Sequence, residues 1–127
     1  MSAIRSRDTK PELVVRRFLH AQGFRYRLQV RDLPGCPDIV LPRHRTLIFV
    51  HGCFWHRHRN CRFAVLPKSN RPFWLAKLSG NVVRDARNSL KLRRAGWRVL
   101  TIWECAISVA SLRRLERRIL SGSALLR

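Results

Sequence analysis

The stretch Asp38-Ile39-Val40-Leu41-Pro42-Arg43-His44-Arg45-Thr46-Leu47-Ile48-Phe49-Val50 contains two short apolar runs on either side of a basic segment. Short apolar runs rich in Ile and Val are typical of strands, and a Pro among polar residues is typical of a turn. The sequence therefore predicts a β-hairpin with strands at 38–41 and 46–50 and a solvated basic turn at 42–45.

A helix and a further strand are predicted before this hairpin. Thr9, Pro11 and Glu12 form a capping-box pattern, and apolar residues follow at helical spacing until Gly23, which predicts a first helix. Residues 24–30 then alternate apolar or aromatic with polar side chains. That alternation predicts a half-buried strand, ended by the turn at Leu33-Pro34-Gly35.

Two helices and a strand are predicted after the hairpin. A long helix fits residues 73–95, before Gly96, with an apolar stripe of Leu75, Leu78, Val82, Ala86 and Leu90. A strand at 97–103 and a closing helix at about 109–120 follow, and the tail from about 121 to 127 is expected to fray. The order αβββαβα predicts one α/β domain over residues 1–127, a mixed sheet flanked by helices.

The charge balance indicates the kind of partner. The chain has 127 residues, and 27 Lys and Arg against 7 Asp and Glu give a formal net charge of +20. So large an excess in a short chain favours a polyanion such as nucleic acid over a merely solvated basic surface. A membrane partner is not expected, because no apolar run approaches the roughly 20 residues of a spanning helix.

The loop His51-Gly52-Cys53-Phe54-Trp55-His56-Arg57-His58-Arg59-Asn60-Cys61 is dense in metal-ligand types. Tetrahedral Zn²⁺ prefers four thiolate or imidazole ligands, and a last ligand from a distant strand end would tie the loop to the core. We assign the site to Cys53, His58, Cys61 and Cys105. Ordinary buried cysteines beside exposed histidines are the alternative, and Cys36 is expected to be a bystander.

Two kinds of residue are left for acid–base chemistry. His56 lies between two expected zinc ligands and suits a general base, with a second-shell or DNA-contacting histidine as the alternative. Carboxylates are scarce, and on a DNA-binding face they oppose affinity unless they hold a cation. Asp38 is therefore a candidate Mg²⁺ ligand at the sheet edge. Glu12 either approaches Asp38 at the same metal site or serves only as the acidic member of the capping box.

Adjacent aromatic residues suggest a wedge for DNA. Phe54 and Trp55 follow each other on an arginine-containing loop, where burying both rings is difficult. At least one ring is then available to insert between base pairs. Trp74 has the same two interpretations, a wedge or an ordinary packing residue, and Phe73 beside it is another candidate for the core.

The run Phe49-Val50-His51-Gly52-Cys53-Phe54-Trp55-His56 closely resembles the very-short-patch-repair (Vsr) DNA mismatch endonucleases. The segments 7–12, 33–38, 81–85, 97–100 and 103–105 match the same pattern, and the resemblance extends from about Ile4 to Ile107. It implies a restriction-endonuclease-like fold. It also implies Mg²⁺-dependent nicking of one strand, 5′ to the thymine of a T·G mismatch left by deamination of 5-methylcytosine.

The resemblance also implies roles for individual residues. Asp38 and the backbone carbonyl of Val50 resemble the Mg²⁺ ligands. His56 resembles the general base, and Glu12 and His51 resemble assisting active-site residues. The implied zinc ligands are Cys53, His58, Cys61 and Cys105, and the implied DNA wedge is Phe54, Trp55 and Trp74.

The sequence departs from the family pattern in three places. The spacing from His58 to Cys61 is one residue longer, and the lysine of the wider restriction-nuclease motif is missing, as expected if His56 replaces it. The chain also begins almost at the first helix. We therefore expect affinity and sequence preference to differ from those of members that grip DNA with a longer N-terminal arm.

The partner expected from the resemblance is double-stranded DNA with a T·G mismatch. The protein is expected to be a cytoplasmic monomer that works beside a cytosine-5 DNA methyltransferase and mismatch-repair proteins. A related nuclease without mismatch specificity would share Asp38 and His56. A non-catalytic zinc protein that only binds nucleic acid would be favoured if Asp38 lay in a salt bridge away from His56 and Val50.

Overall fold

The structure, a computed structural model, describes residues 9–125 and the side chains of residues 9–121. The elements are α1 (Lys10–Ala21), β1 (Arg27–Leu28), β2 (Ile39–Leu41), β3 (Thr46–His51), α2 (Arg71–Arg94), β4 (Arg98–Trp103) and α3 (Val109–Leu125). The strands form one sheet in the order β1-β2-β3-β4, in which β3 and β4 are parallel and the other pairs antiparallel. The predicted αβββαβα order and mixed α/β sheet are confirmed.

The central hairpin forms as predicted. Leu41 pairs with Thr46 and Ile39 with Ile48. The connection is a single 3-10 turn at Pro42–His44, followed by Arg45 in the left-handed conformation at φ 51°. This turn reverses the chain within four residues, 42–45, and so brings the start of β2 beside the end of β3.

The first strand is shorter than predicted. Pairing is confined to Arg27–Leu28 instead of residues 24–30. Phe24 and Tyr26 still pack against the core, so their inward orientation is as the alternation indicates. Gln29 adopts φ 43°, which ends the strand.

The core lies on both faces of the sheet. One face packs against α1 and α3, and this larger cluster includes Val15, Leu19, Ile39, Ile48, Leu100, Leu112 and Ile119. On the other face, Leu92 from the C-terminal part of α2 packs against Val40, Leu47 and Val99. The helices therefore flank the sheet on both sides, and the ends of β3 and β4 remain accessible at one edge of this layered structure.

The predicted apolar stripe of α2 is wrong. Only Leu78 of that stripe is buried, whereas Leu75, Val82, Ala86 and Leu90 are exposed. The reason is that much of the inward face of α2 covers a polar cleft, which Asn81, Asp85 and Asn88 line. Helical spacing alone could not show that α2 contributes to the cleft along much of its length and packs on the sheet only near its end.

The closing helix is longer than expected. Ser108 and Ser111 cap its start reciprocally, since each backbone N–H donates to the other hydroxyl, at 2.8 and 3.1 Å. The helix continues to Leu125 instead of ending near Leu120. The side chains of residues 122–127, on which most of the expected frayed tail falls, lie outside the described residues. Within the part that is described, no helix is long and apolar enough to cross a membrane.

Candidate active site and metal cluster

A polar cleft gathers most of the residues singled out in the sequence. It is lined by the start of α1, the start of β2, the end of β3, the loop after β3 and one side of α2. Glu12, Asp38, His51, His56 and the peptide of Val50 all face it, together with the rings of Phe54 and Trp55. The hairpin and the sheet register therefore bring side chains that are distant in sequence into one site.

Asp38 precedes β2 directly and lies against the end of β3. The Val50 N–H donates to Asp38 Oδ2 at 2.7 Å. Burial raises the pKa of Asp38 to about 7, with a smaller contribution from Glu12, while the Val50 N–H and His56 act in the opposite direction. A cation bound beside this carboxyl group would stabilise its ionised form and lower its pKa again. A raised pKa before the metal binds is therefore expected of a metal ligand.

Glu12 faces the cleft from the first turn of α1. Its backbone N–H donates to Thr9 Oγ1 at 3.4 Å, as in the predicted cap. Its side chain is only 1% exposed and accepts hydrogen bonds from Gln29 Nε2 at 2.6 Å and from Arg16 at 3.3 Å. It also lies within hydrogen-bond distance of Asp38. The structure thus brings the buried Glu12 and the half-buried Asp38 together as a pair of carboxyl groups.

His51 and His56 form a stacked pair that lines the same cleft. Their ring centroids are 3.8 Å apart and the rings are nearly parallel, at 4°. Burial, and secondarily His56, lowers the pKa of His51 to about 4, so this ring is neutral at pH 7. His51 Nδ1 is buried without a hydrogen-bond partner among the described residues.

Asp85 is a site residue that the sequence reasoning missed. His56 Nδ1 and Asp85 Oδ2 are 2.6 Å apart, so the carboxylate can hold the proton on Nδ1 and leave Nε2 as an acceptor. The signal was present, because Asn81, Asp85 and Asn88 recur at the spacing of one helix face. The apolar positions of α2 were instead predicted to form its inward face.

The four expected zinc ligands come together beside the cleft. The ligand atoms of Cys53, His58, Cys61 and Cys105 all lie within 4.8 Å of one another, and Cys105 Sγ is 3.3 Å from His58 Nδ1. Burial raises the pKa of the Cys53 thiol to about 12, so it would stay protonated without a cation. The set fits a tetrahedral metal ion, despite the longer spacing between His58 and Cys61. Cys36 is not part of it.

An aromatic cluster adjoins the cleft, which two of its rings, Phe54 and Trp55, line. Phe54 and Trp55 are in edge contact at 5.0 Å, and both contact Trp74, at 5.6 and 6.0 Å. All three rings are partly buried, whereas the neighbouring Phe73 is 58% exposed. Asn81 Nδ2 donates to the backbone oxygen of Trp55 at 3.0 Å, which ties the loop that carries the first two rings to α2.

Comparisons with known proteins match this site. A family profile described as DNA mismatch endonuclease Vsr matches residues 1–62. The DNA mismatch endonuclease Vsr of Escherichia coli is 46% identical over 107 residues, covering 84% of this chain and 68% of the relative. The chain belongs to the Vsr family of DNA mismatch endonucleases. The resemblance seen in the sequence is thereby confirmed, and with it the restriction-endonuclease-like fold class.

Other relatives of this Vsr-family chain are named nicking enzymes. The type II nicking enzyme V.XorIIP of Xanthomonas oryzae pv. oryzae is 48% identical over 119 residues, covering 94% of this chain and 85% of the relative. The type II nicking enzyme V.NmeAIP of Neisseria meningitidis is 46% identical over 124 residues, covering 94% and 88%. The Vsr-family chain is accordingly a DNA endonuclease, and its partner is DNA.

The geometry also bears on the binding-only alternative for this Vsr-family chain. That alternative expected Asp38 in a salt bridge away from His56 and Val50. Asp38 instead accepts the Val50 N–H at 2.7 Å and lies in the cleft that His56 lines. The carboxyl pair and the histidine pair therefore face the same space, as a hydrolytic site requires.

Proposed function

We propose that this protein nicks one strand of duplex DNA 5′ to the thymine of a T·G mismatch, the lesion left by deamination of 5-methylcytosine. One observation carries the proposal: the Asp38–Glu12 carboxyl pair and the His56–Asp85 pair line one cleft, with an aromatic cluster beside it. The first pair suits a hard divalent cation and the second suits proton abstraction. The two relatives that are named type II nicking enzymes support cleavage of a single strand.

His56 acts as the general base in this proposal. Asp85 holds the Nδ1 proton, so Nε2 is free to take a proton from the attacking water. The water oxygen forms a bond to phosphorus while the bond to the 3′ oxygen breaks in line. The departing 3′ oxygen takes a proton from solvent water, so the products are a 5′-phosphate and a 3′-hydroxyl. His51 remains neutral. The His56 ring therefore does not stack on a second positive charge when it accepts the proton.

Asp38 and the backbone carbonyl of Val50 are the proposed ligands of a catalytic Mg²⁺, and Glu12 lies beside them. The donor set fits, because the buried carboxyl group of Glu12 and the half-buried one of Asp38 form an oxygen-rich, anionic pair within a strongly basic chain. When bound, Mg²⁺ supplies charge neutralisation at the scissile phosphate. Cys53, His58, Cys61 and Cys105 are the proposed ligands of a structural Zn²⁺ that fixes the loop carrying His56.

Phe54, Trp55 and Trp74 are the proposed wedge beside the mismatch. Their rings contact one another beside the cleft, and inserting aromatic rings into DNA requires unstacking. Unstacking costs least at a mispaired step, so the distortion itself selects the lesion. We further propose that the protein acts as a monomer, alongside a cytosine-5 methyltransferase whose deaminated product it removes, and together with mismatch-repair proteins.

Single-turnover nicking of an end-labelled T·G duplex tests these roles. His56→Ala should lower the nicking rate by about 10²- to 10⁴-fold, the usual contribution of a general base, while DNA affinity stays within about twofold. His20→Ala, at an exposed histidine in the last turn of α1, is the matched control and should nick normally. Wild-type nicking by His56→Ala would refute the assignment.

A further inference from the structure

One side chain connects the metal cluster to the histidine pair. Trp103 ends β4, and its backbone is paired in register with His51 at the end of β3. Its indole ring stacks on the imidazole of His58, with centroids 4.1 Å apart and an interplanar angle of 7°. His58 belongs to the Cys/His cluster, so one face of Trp103 contacts that cluster directly.

The same indole contacts the histidines of the cleft. Its centroid lies 5.0 Å from that of His51, at 74°, and 6.4 Å from that of His56, at 73°. Because His51 stacks on His56 at 3.8 Å, the rings form a continuous series from His58 through Trp103 and His51 to His56. These contacts connect His58 to His56 by a route that is separate from the loop backbone.

The loop that carries His56 has few supports of its own. It contains no helix or strand between Gly52 and Cys61, and Arg57 and Asn60 adopt positive φ values of 50° and 53°. Two hydrogen bonds hold its backbone from outside, from Cys53 N–H to Glu104 at 3.0 Å and from Asn81 to Trp55 O at 3.0 Å. Trp103, at the end of β4, contacts two rings of this loop, those of His58 and His56.

We propose that Trp103 is a positioning residue that couples the filling of the Cys/His cluster to the placement of His56. A bound metal fixes His58, His58 fixes the indole, and the indole holds the His51–His56 stack at the angle at which Asp85 binds Nδ1. This proposal rests on His56 being the general base. A misplacement of about 1 Å at a reacting group lowers turnover by about 10²-fold, so small shifts of this stack are sufficient.

The test compares Trp103→Leu and Trp103→Phe in the intact, zinc-loaded chain. Trp103→Leu should lower kcat for nicking an intact T·G duplex by about ten- to hundredfold, with KM and DNA affinity nearly unchanged, while Trp103→Phe retains a ring and recovers most of the rate. Trp97→Leu is the matched control, because it removes an indole beside the opposite end of the same strand, where the ring contacts Arg45. Trp97→Leu should have the wild-type kcat when its zinc content equals that of the wild type.

A second readout does not depend on activity. The Nδ1 proton between His56 and Asp85 should give a distinct NMR signal in wild type, Trp103→Phe and Trp97→Leu. In Trp103→Leu, and in wild type stripped of zinc, the signal should broaden or disappear. Wild-type kcat and an intact NMR signal in fully zinc-loaded Trp103→Leu would overturn the proposal. A fall in kcat that is fully explained by a lower zinc content of Trp103→Leu would overturn it as well.

The two proposals fail in different ways. If His56→Ala nicks normally, the general-base assignment is wrong and the role of Trp103 is wrong with it. If His56→Ala is inactive while Trp103→Leu nicks at the wild-type rate, only the positioning role of Trp103 is overturned.

Discussion

Replacing Asp38 by Asn should make the protein more stable, and increasingly so as the pH rises. Burial raises the pKa of Asp38 from 3.8 to about 7 in the folded chain. Between these two values the folded protein keeps a proton that the unfolded chain has released, so raising the pH removes stability. Asn keeps an oxygen that can accept the Val50 N–H but carries no charge, and it does not incur this loss.

The magnitude follows from the pKa difference. Each unit corresponds to about 1.36 kcal/mol, so the pH-dependent gain of Asp38→Asn reaches about 4 kcal/mol above pH 7.5 and less than half of that at pH 5. For a domain of this size the change between pH 5 and pH 8 corresponds to about 10 °C in Tm. Any pH-independent effect of the amide cancels in this comparison.

The assay is thermal or urea unfolding in buffer without added divalent cations, at several pH values. Asp32→Asn is the matched control, because Asp32 is an exposed aspartate before β2, and its difference from wild type should not grow with pH. Adding Mg²⁺ at pH 8 should then stabilise the wild type and not Asp38→Asn. A stability difference that stays constant from pH 5 to pH 8 would refute the burial argument.

Two further variants address the other groups of the site. Burial lowers the pKa of His51 to about 4, so wild type should lose stability as the pH falls from 6.5 toward 4, and His51→Gln should lose less. An unchanged pH profile in urea unfolding of His51→Gln would contradict this. Cys105→Ser should bind less than one equivalent of zinc and melt at a lower temperature, because it removes one of four ligands. Elemental analysis checks this against Cys36→Ser, which should keep its metal, and full zinc content in Cys105→Ser would exclude the assigned ligand set.

The sequence predicted the parts of the site whose chemistry limits the choice of residue. Two thiols and an imidazole within one short loop have few uses other than binding a metal, and the inferred fourth ligand, Cys105, does converge with Cys53, His58 and Cys61. A carboxylate at the start of a short buried strand in a basic chain is equally uncommon, and Asp38 lies at the cleft. The hairpin between them was predictable because its strands are short, apolar and separated by a turn.

The sequence did not predict features that depend on tertiary packing. The polar face of Asn81, Asp85 and Asn88 is visible in the sequence, but polar residues on a long helix are usually solvated, so that face alone does not identify Asp85 as the partner of His56. The stripe through Leu75, Val82 and Leu90 has helical spacing, but the inward side of α2 is set by the polar cleft it covers. Likewise, alternation over residues 24–30 could not reveal that Gln29 leaves the sheet to bind Glu12.

The most direct test of the account uses two oligonucleotide duplexes that differ only in a T·G or a C·G pair. With Mg²⁺ and across a set of flanking sequences, the protein should nick the thymine strand of the mismatched duplex on the 5′ side of that thymine. It should leave the C·G duplex intact. Cleavage of both duplexes at equal rates, or of both strands, would contradict the mismatch-specific nicking proposed for the cleft of Asp38 and His56.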